Sequence, residues 1–192
     1  MLDDDERGTL LHVARTSIEQ ALRGGKSGLD ETTLSAGLAE TRASFVTLKR
    51  QNSALRGCIG TLEARRRLVD DVAYNARAAA LHDPRFAPLT QDELADLRIE
   101  ISVLTAPQPL AVWSHAELLL QLRPGSDGLI VADGARRATF LPSVWETLPQ
   151  ARDFVSALWQ KAGIEPETWP PALRVWRYEA EHFTERPPTA SS

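Results

Sequence analysis

Apolar residues recur at helical spacing near the start of the chain, where Leu11, Ala14, Ile18, Ala21 and Leu22 form one stripe. That spacing predicts a first helix from about Asp4 to Arg23. Asp3, Asp4, Asp5 and Glu6 sit where the helix dipole favours anions, and Gly24-Gly25 supplies the stop. Lys26 to Arg42 is small and polar with Leu29, Leu34 and Leu38 as anchors, and reads as loop with an irregular turn. Ala43 to Lys49 and the stretch Ala54 to Leu62 read as the strands of a hairpin. A helix follows from Leu68 to Leu81, ended by Asp83-Pro84. Thr90-Gln91-Asp92-Glu93 has the form of a capping box, and Arg98 to Leu104 alternates as a strand. Ser114-His115-Ala116-Glu117 is a second capping box, opening a helix through Leu122. Gly128 to Leu141 is a hairpin about Asp133-Gly134. The series ends with a helix from Gln150 to Ala162, a strand from Leu173 to Ala180, and a disordered tail over 186–192.

One pattern, hairpin then helix then strand, thus occurs twice, over about 43–104 and 128–180, and makes the fold class α+β. The 192 residues, 43% of them hydrophobic, suffice for a single domain over 1–185 with a proper core. One cysteine excludes an internal disulfide and fits a reducing compartment. No apolar run approaches the roughly 20 residues of a membrane span, and the acidic start is unlike a signal peptide. A cytoplasmic location with no membrane partner is therefore expected. A net charge of −4 argues against a general nucleic-acid coat.

The candidate chemistry centres on Leu55-Arg56-Gly57-Cys58-Ile59-Gly60. Strand alternation puts Arg56 and Cys58 on the same face, and a guanidinium beside a thiol favours the nucleophilic thiolate. Gly57 and Gly60 suit a close approach of backbone or ligand, which makes this strand central to the sheet. The competing reading is a small buried cysteine. Glu100 and Ser102 share the polar face of their strand, and Glu100 is placed to pair with Arg56 or act as a base. Asn75 at the edge of its helical stripe, and Asp83 and Arg85 beyond that helix, are further ligand-binding candidates. Arg65, Arg66 and Arg67, with Lys49 and Arg50, offer an anion or RNA site, against the alternative of a solvated patch. Phe140 and Trp145 read as core. His12, His82, His115 and His182 lack ligand spacing, so no metal is expected, and no phosphate loop or other cofactor motif is present.

Leu55 to Gly60 resembles the signature of the AMMECR family, called AmmeMemoRadiSam system protein A in bacteria and archaea. Phe45-Val46-Thr47-Leu48, Asp83 to Leu89 (DPRFAPL), Ile99 to Leu104 (IEISVL), Ala138 to Trp145 (ATFLPSVW) and Lys161-Ala162-Gly163 match in the same order. The resemblance implies two related repeats contributing to one curved, barrel-like, mainly antiparallel sheet with helices outside. It also implies a genetic pairing with a Memo-like protein and a radical-SAM protein, hence an enzyme component in a modification pathway. The chain carries no radical-SAM cysteine triad, so it would be the companion of such an enzyme. Two other readings stay open: a non-catalytic binding or adaptor module for RNA, nucleotide or peptide, and a purely architectural signature.

Overall fold

The computed structural model describes residues 1–25 and 34–185. Of the loop predicted over 26–42, residues 26–33 lie outside the described residues, as does the tail over 186–192, and residues 36–39 form a short helix instead. Among the described residues five α-helices form: α1 (Asp4–Leu22), α2 (Ala36–Ala39), α3 (Leu68–Leu81), α4 (His115–Gln121) and α5 (Ala151–Lys161). Among the described residues, no helix is long and apolar enough to cross a membrane. The strands are β1 (Ser44–Arg50), β2 (Leu55–Gly60), β3 (Leu97–Leu104), β4 (Gln108–Leu110), β5 (Gly128–Asp133), β6 (Arg136–Phe140), β7 (Arg174–Tyr178) and β8 (Ala180–Thr184).

Local chemistry explains most boundaries. Asp3 accepts from the Glu6 amide while Glu6 bonds back to the Asp3 amide, so α1 opens on a full capping box. Thr90 and Glu93 close the expected box over a 3₁₀ turn, Gln91–Asp96. At Ser114 the box is displaced by one residue: Ser114 accepts from the Glu117 amide, but the Glu117 carboxylate takes the Trp113 amide. The β5–β6 turn also differs by one residue. Asp133 pairs with Arg136, so Gly134 and Ala135 form the loop, with positive φ only at Gly134, as a II′ turn requires.

The strands fall into two four-stranded sheets, ordered β2-β1-β3-β8 and β4-β7-β5-β6, and not into one barrel-like sheet. The signature strand β2 is an edge strand and not central. Its glycines make room for other neighbours: a Cβ on Gly57 would lie 2.2 Å from the Ala79 carbonyl oxygen of α3, and one on Gly60 would lie 2.2 Å from the Phe45 ring. Two short strands were not foreseen. β4 forms despite its proline, at a sheet edge where proline is tolerated, and β8 follows the expected last strand, which is β7.

The chain divides into two compact units, Met1–Leu104 with the segment from Glu181 onward, and Thr105–Ala180. Each sheet has the same order when read from its hairpin: second hairpin strand, first hairpin strand, strand after the helix, added strand. The added strand is exchanged. β4 follows β3 but completes the second sheet, and β8 follows β7 but completes the first. In the first unit, α3 packs on β1 and β2 while α1 packs on α3 and β3. That core includes Leu10, Ile18, Val46, Leu48, Val72 and Ile101. In the second unit, Phe154, Leu158 and Trp159 of α5 join Leu129 and Val131.

A candidate thiol site on the first sheet

As an edge strand, β2 presents alternate peptide groups away from β1. At Cys58 these groups are taken by two side chains. The Cys58 amide donates to Asp83 Oδ2 at 2.8 Å, and Arg85 Nη2 donates to the Cys58 carbonyl at 3.1 Å. Asp83 and Arg85 are locked together through Arg85 Nη2 to Asp83 Oδ2, 2.7 Å. This pair blunts the edge and fixes the cysteine. The Arg85 guanidinium, aided by the Cys58 and Arg85 amides, holds the buried Asp83 carboxyl well below the usual carboxylate range. Arg85 is itself raised, first by Asp83, with Cys58 among the smaller contributors.

Arg56 does not share this environment. The register shifts between Leu48 and Lys49, with Leu48 opposite Gly57 and Lys49 opposite Leu55, so Arg56 is the extra residue of a bulge. Its buried guanidinium grips Glu93 with Nε and Nη2, both at 2.8 Å, and donates to the Ala87 carbonyl. Arg56 holds the Glu93 carboxyl down to about 2. The cation beside the cysteine is therefore Arg85, and the bulge is why simple alternation pointed to Arg56.

Thr47 stands opposite both Cys58 on β2 and Glu100 on β3, which aligns the three across the sheet. Thr47 Oγ1 lies 3.1 Å from Cys58 Sγ. Glu100 pairs with Lys49 at 2.9 Å and not with Arg56. His182 on β8 adds a ring, with Nε2 3.9 Å from Glu100 and Nδ1 3.1 Å from Ser102 Oγ. Sequence reasoning missed Thr47 and His182. The hairpin register would have given Thr47, whereas His182 sits in a strand that was not foreseen.

Asn75 serves the framework. Asp71 is fully buried and accepts from the Ser44 amide, the Ser44 hydroxyl and Asn75 Nδ2, at 2.9, 2.7 and 2.9 Å. Asn75 also donates to the Ser44 carbonyl at 3.0 Å, so α3 holds the start of β1 by polar contacts. Asp71 and Asn75 lie four residues apart on a largely apolar helix face, a spacing that could have flagged them. Each cation of the proposed anion patch has an acidic partner: Lys49 with Glu100, Arg50 with Glu93, Arg65 with Glu63, Arg66 with Asp71 and Arg67 with Asp70. Among the described residues, no cluster of three or more His, Cys, Asp or Glu could hold a metal ion.

The fold and this row define an α+β protein of two similar sheets with one thiol held at a sheet edge. The AMMECR1 family model matches residues 11–183, and the chain belongs to that family. A protein of Methanothermobacter thermautotrophicus is 40% identical over 190 residues, covering 96% of each chain. One of Methanopyrus kandleri is 36% identical over 192 residues, covering 96% of this chain and 90% of its own. The crystal structure of an uncharacterised protein of Pyrococcus horikoshii is similar at a TM-score of 0.83 and 33% identity, covering 95% of this chain and 93% of that one.

Proposed function

We propose that the protein is an enzyme component whose working group is the Cys58 thiol, acting with Memo-like and radical-SAM partners in a modification pathway. The observation that carries this reading is the row Cys58–Thr47–Glu100 across three adjacent strands. Neighbouring strands are about 4.8 Å apart, so thiol and carboxylate stand roughly 10 Å apart at the backbone. A substrate lying over Thr47 meets a nucleophile on one side and an acid–base group on the other. The Thr47 hydroxyl can donate to the thiolate, and Lys49 holds the Glu100 carboxylate in place. The Asp83–Arg85 clamp fixes the cysteine backbone, which preorganises the attack. The partners follow from the family resemblance alone. A binding module for RNA or nucleotide draws less support, because the five cations that would serve it are engaged with carboxylates.

The test compares native protein with Cys58→Ser and Glu100→Gln. Native Cys58 should react with iodoacetamide near neutral pH. In cells, both variants should lose the modified substrate recovered by pull-down, while their melting temperatures stay near native. A native thiol that stays silent to pH 9, or an unchanged substrate pool with Cys58→Ser, sinks the reading.

A further inference from the structure

Two helices of the second unit meet at a histidine. Arg152, Val155, Ser156 and Trp159 recur at i, i+3, i+4 and i+7, which puts them on one face of α5. His115, Ala116 and Leu119 lie along one side of α4. The His115 ring packs 5.3 Å from the fully buried Trp159 and 5.2 Å, edge-on, from Trp169. Trp159 also donates from Nε1 to the Thr168 carbonyl at 3.0 Å, which anchors the turn from Glu165 to Thr168 beside the helices. Residues of α4, α5 and this turn enclose a cavity of about 230 Å³. Ala116, Leu119, Val155 and Pro166 give it apolar walls, and it shares no residue with the row around Cys58.

The polar groups that border this cavity are not there for the fold. Arg152 is the second residue of α5, where a cation opposes the helix dipole, and it makes no hydrogen bond or ion pair among the described residues. Glu167, at the tip of the turn, borders the same cavity and is equally without a partner there. Opposite charges thus line one small space and do not close on each other. His115 borders it as well. Its Nε2 is buried with no hydrogen-bond partner, a polar group that packing between two indoles does not call for.

A ligand that answers both charges carries a carboxylate and an ammonium, and one that suits the walls carries an apolar body. The volume lies below the roughly 300 Å³ at which pockets for drug-sized ligands begin. That size excludes a nucleotide or a stretch of several peptide residues. We propose that the cavity binds a free α-amino acid with an apolar side chain. Its carboxylate meets Arg152, its ammonium meets Glu167, and its side chain lies among Ala116, Leu119, Val155 and Pro166. Two helices and an anchored turn hold these groups, so the site is formed before the ligand arrives.

The experiment is calorimetric titration of the full chain with leucine, leucinamide, which lacks the carboxylate, and N-acetylleucine, which lacks the ammonium. Leucine should bind saturably, in the micromolar to millimolar range open to so small a ligand. Each analogue should bind about tenfold more weakly, the scale of one charged hydrogen bond. Arg152→Gln should abolish the preference for leucine over leucinamide and keep that over N-acetylleucine. Glu167→Gln should do the opposite. Both positions are exposed, so the melting temperature of each variant should stay at the native value. Leucinamide binding as tightly as leucine would assign the cavity to the amino end of a peptide, and N-acetylleucine doing so would assign it to a carboxyl end. Either result overturns the proposal. So does a preference that survives in its variant, or the absence of saturable leucine binding up to the limit of solubility.

Discussion

The two units reach the same strand order with different chemistry. In the first, α3 and the edge of β2 are fastened by buried polar groups: Asp71 with Ser44 and Asn75, Asp83 with Cys58, and Arg56 with Glu93. In the second, aromatic rings fill the corresponding space. Trp145 and Phe154 stack at 3.9 Å, Phe140 meets Phe154 edge-on, and Trp159 packs beside Trp169. Even the glycine contacts run in parallel, with Phe45 over Gly60 and Tyr178 over Gly128. The second unit has a buried carboxylate too, but Asp127 closes the link between α4 and β5 with Arg123. The architecture therefore does not demand polar fastening of the hairpin edge. Where it occurs, it fastens the start of β1, the β2 bulge and the peptide groups of Cys58 to α3 and the segment after it.

The largest effects should come from exchanging these two kinds of fastening. Asp71→Ala strands several buried donors and should cost about 3–5 kcal/mol. Phe154→Ala should cost a similar amount, about 3–5 kcal/mol, through a cavity. All five tryptophans fall in the second unit. Urea unfolding followed by tryptophan emission and by far-UV circular dichroism should thus separate for Asp71→Ala, with the dichroism change coming first. Coincident transitions would break the distinction between the units.

The pH dependence should divide the units with opposite sign. The Glu93 carboxyl is lowered from 4.5 to about 2, so its stabilisation is complete above about 4.5 and is lost as pH falls towards 2. Asp83 acts in the same direction. At 22% side-chain exposure, the Glu93 contribution is about 1–3 kcal/mol. Burial pushes the Tyr178 hydroxyl from 10.0 up to about 12, so its contribution is complete below 10 and is lost as pH rises towards 12. Acid should loosen the first unit before tryptophan emission changes, and alkali should change emission first. The reverse order would reassign the titrating groups.

The smallest effect sharpens the site itself. Arg85→Ala should slow alkylation of Cys58 several-fold, by releasing the clamp that holds the cysteine backbone in position. Arg56→Ala should leave that rate within about twofold while lowering stability by about 2–3 kcal/mol, as the loss of a charged hydrogen-bond pair implies. Equal slowing by both would return Arg56 to the thiol's surroundings.

Local signals in the sequence carried far, and pairing signals did not. α3 has the bounds its apolar spacing predicts, and the Thr90–Glu93 box is where its residues put it. The same Glu93 also grips Arg56, a contact 37 residues away that no local rule reveals. Gly57 and Gly60 correctly marked crowding, but a sequence cannot say whether a helix, a ring or a strand does the crowding. Cys58, Asp83 and Arg85 were each identified singly. Their assembly depends on β2 having a free edge, which is a property of the finished sheet. Pro109 lies within β4, and because proline opposes a central strand and is silent about an edge, nothing local in the sequence marks that strand.

The exchange of β4 and β8 also sets a timetable for synthesis. The first sheet has three of its strands once Leu104 has emerged from the ribosome, but its fourth, Ala180–Thr184, is made only after the whole second unit. At about 5–20 residues per second, β3 waits on the order of several seconds with one edge unpaired. During that interval Ile99, Ile101 and Val103 lie on a strand open to any other nascent chain, the exposure that edge-to-edge aggregation exploits. A chain cut short after Tyr178 would carry that exposure permanently. Truncation after Tyr178 should therefore yield insoluble product, although nearly every residue of both cores has been made.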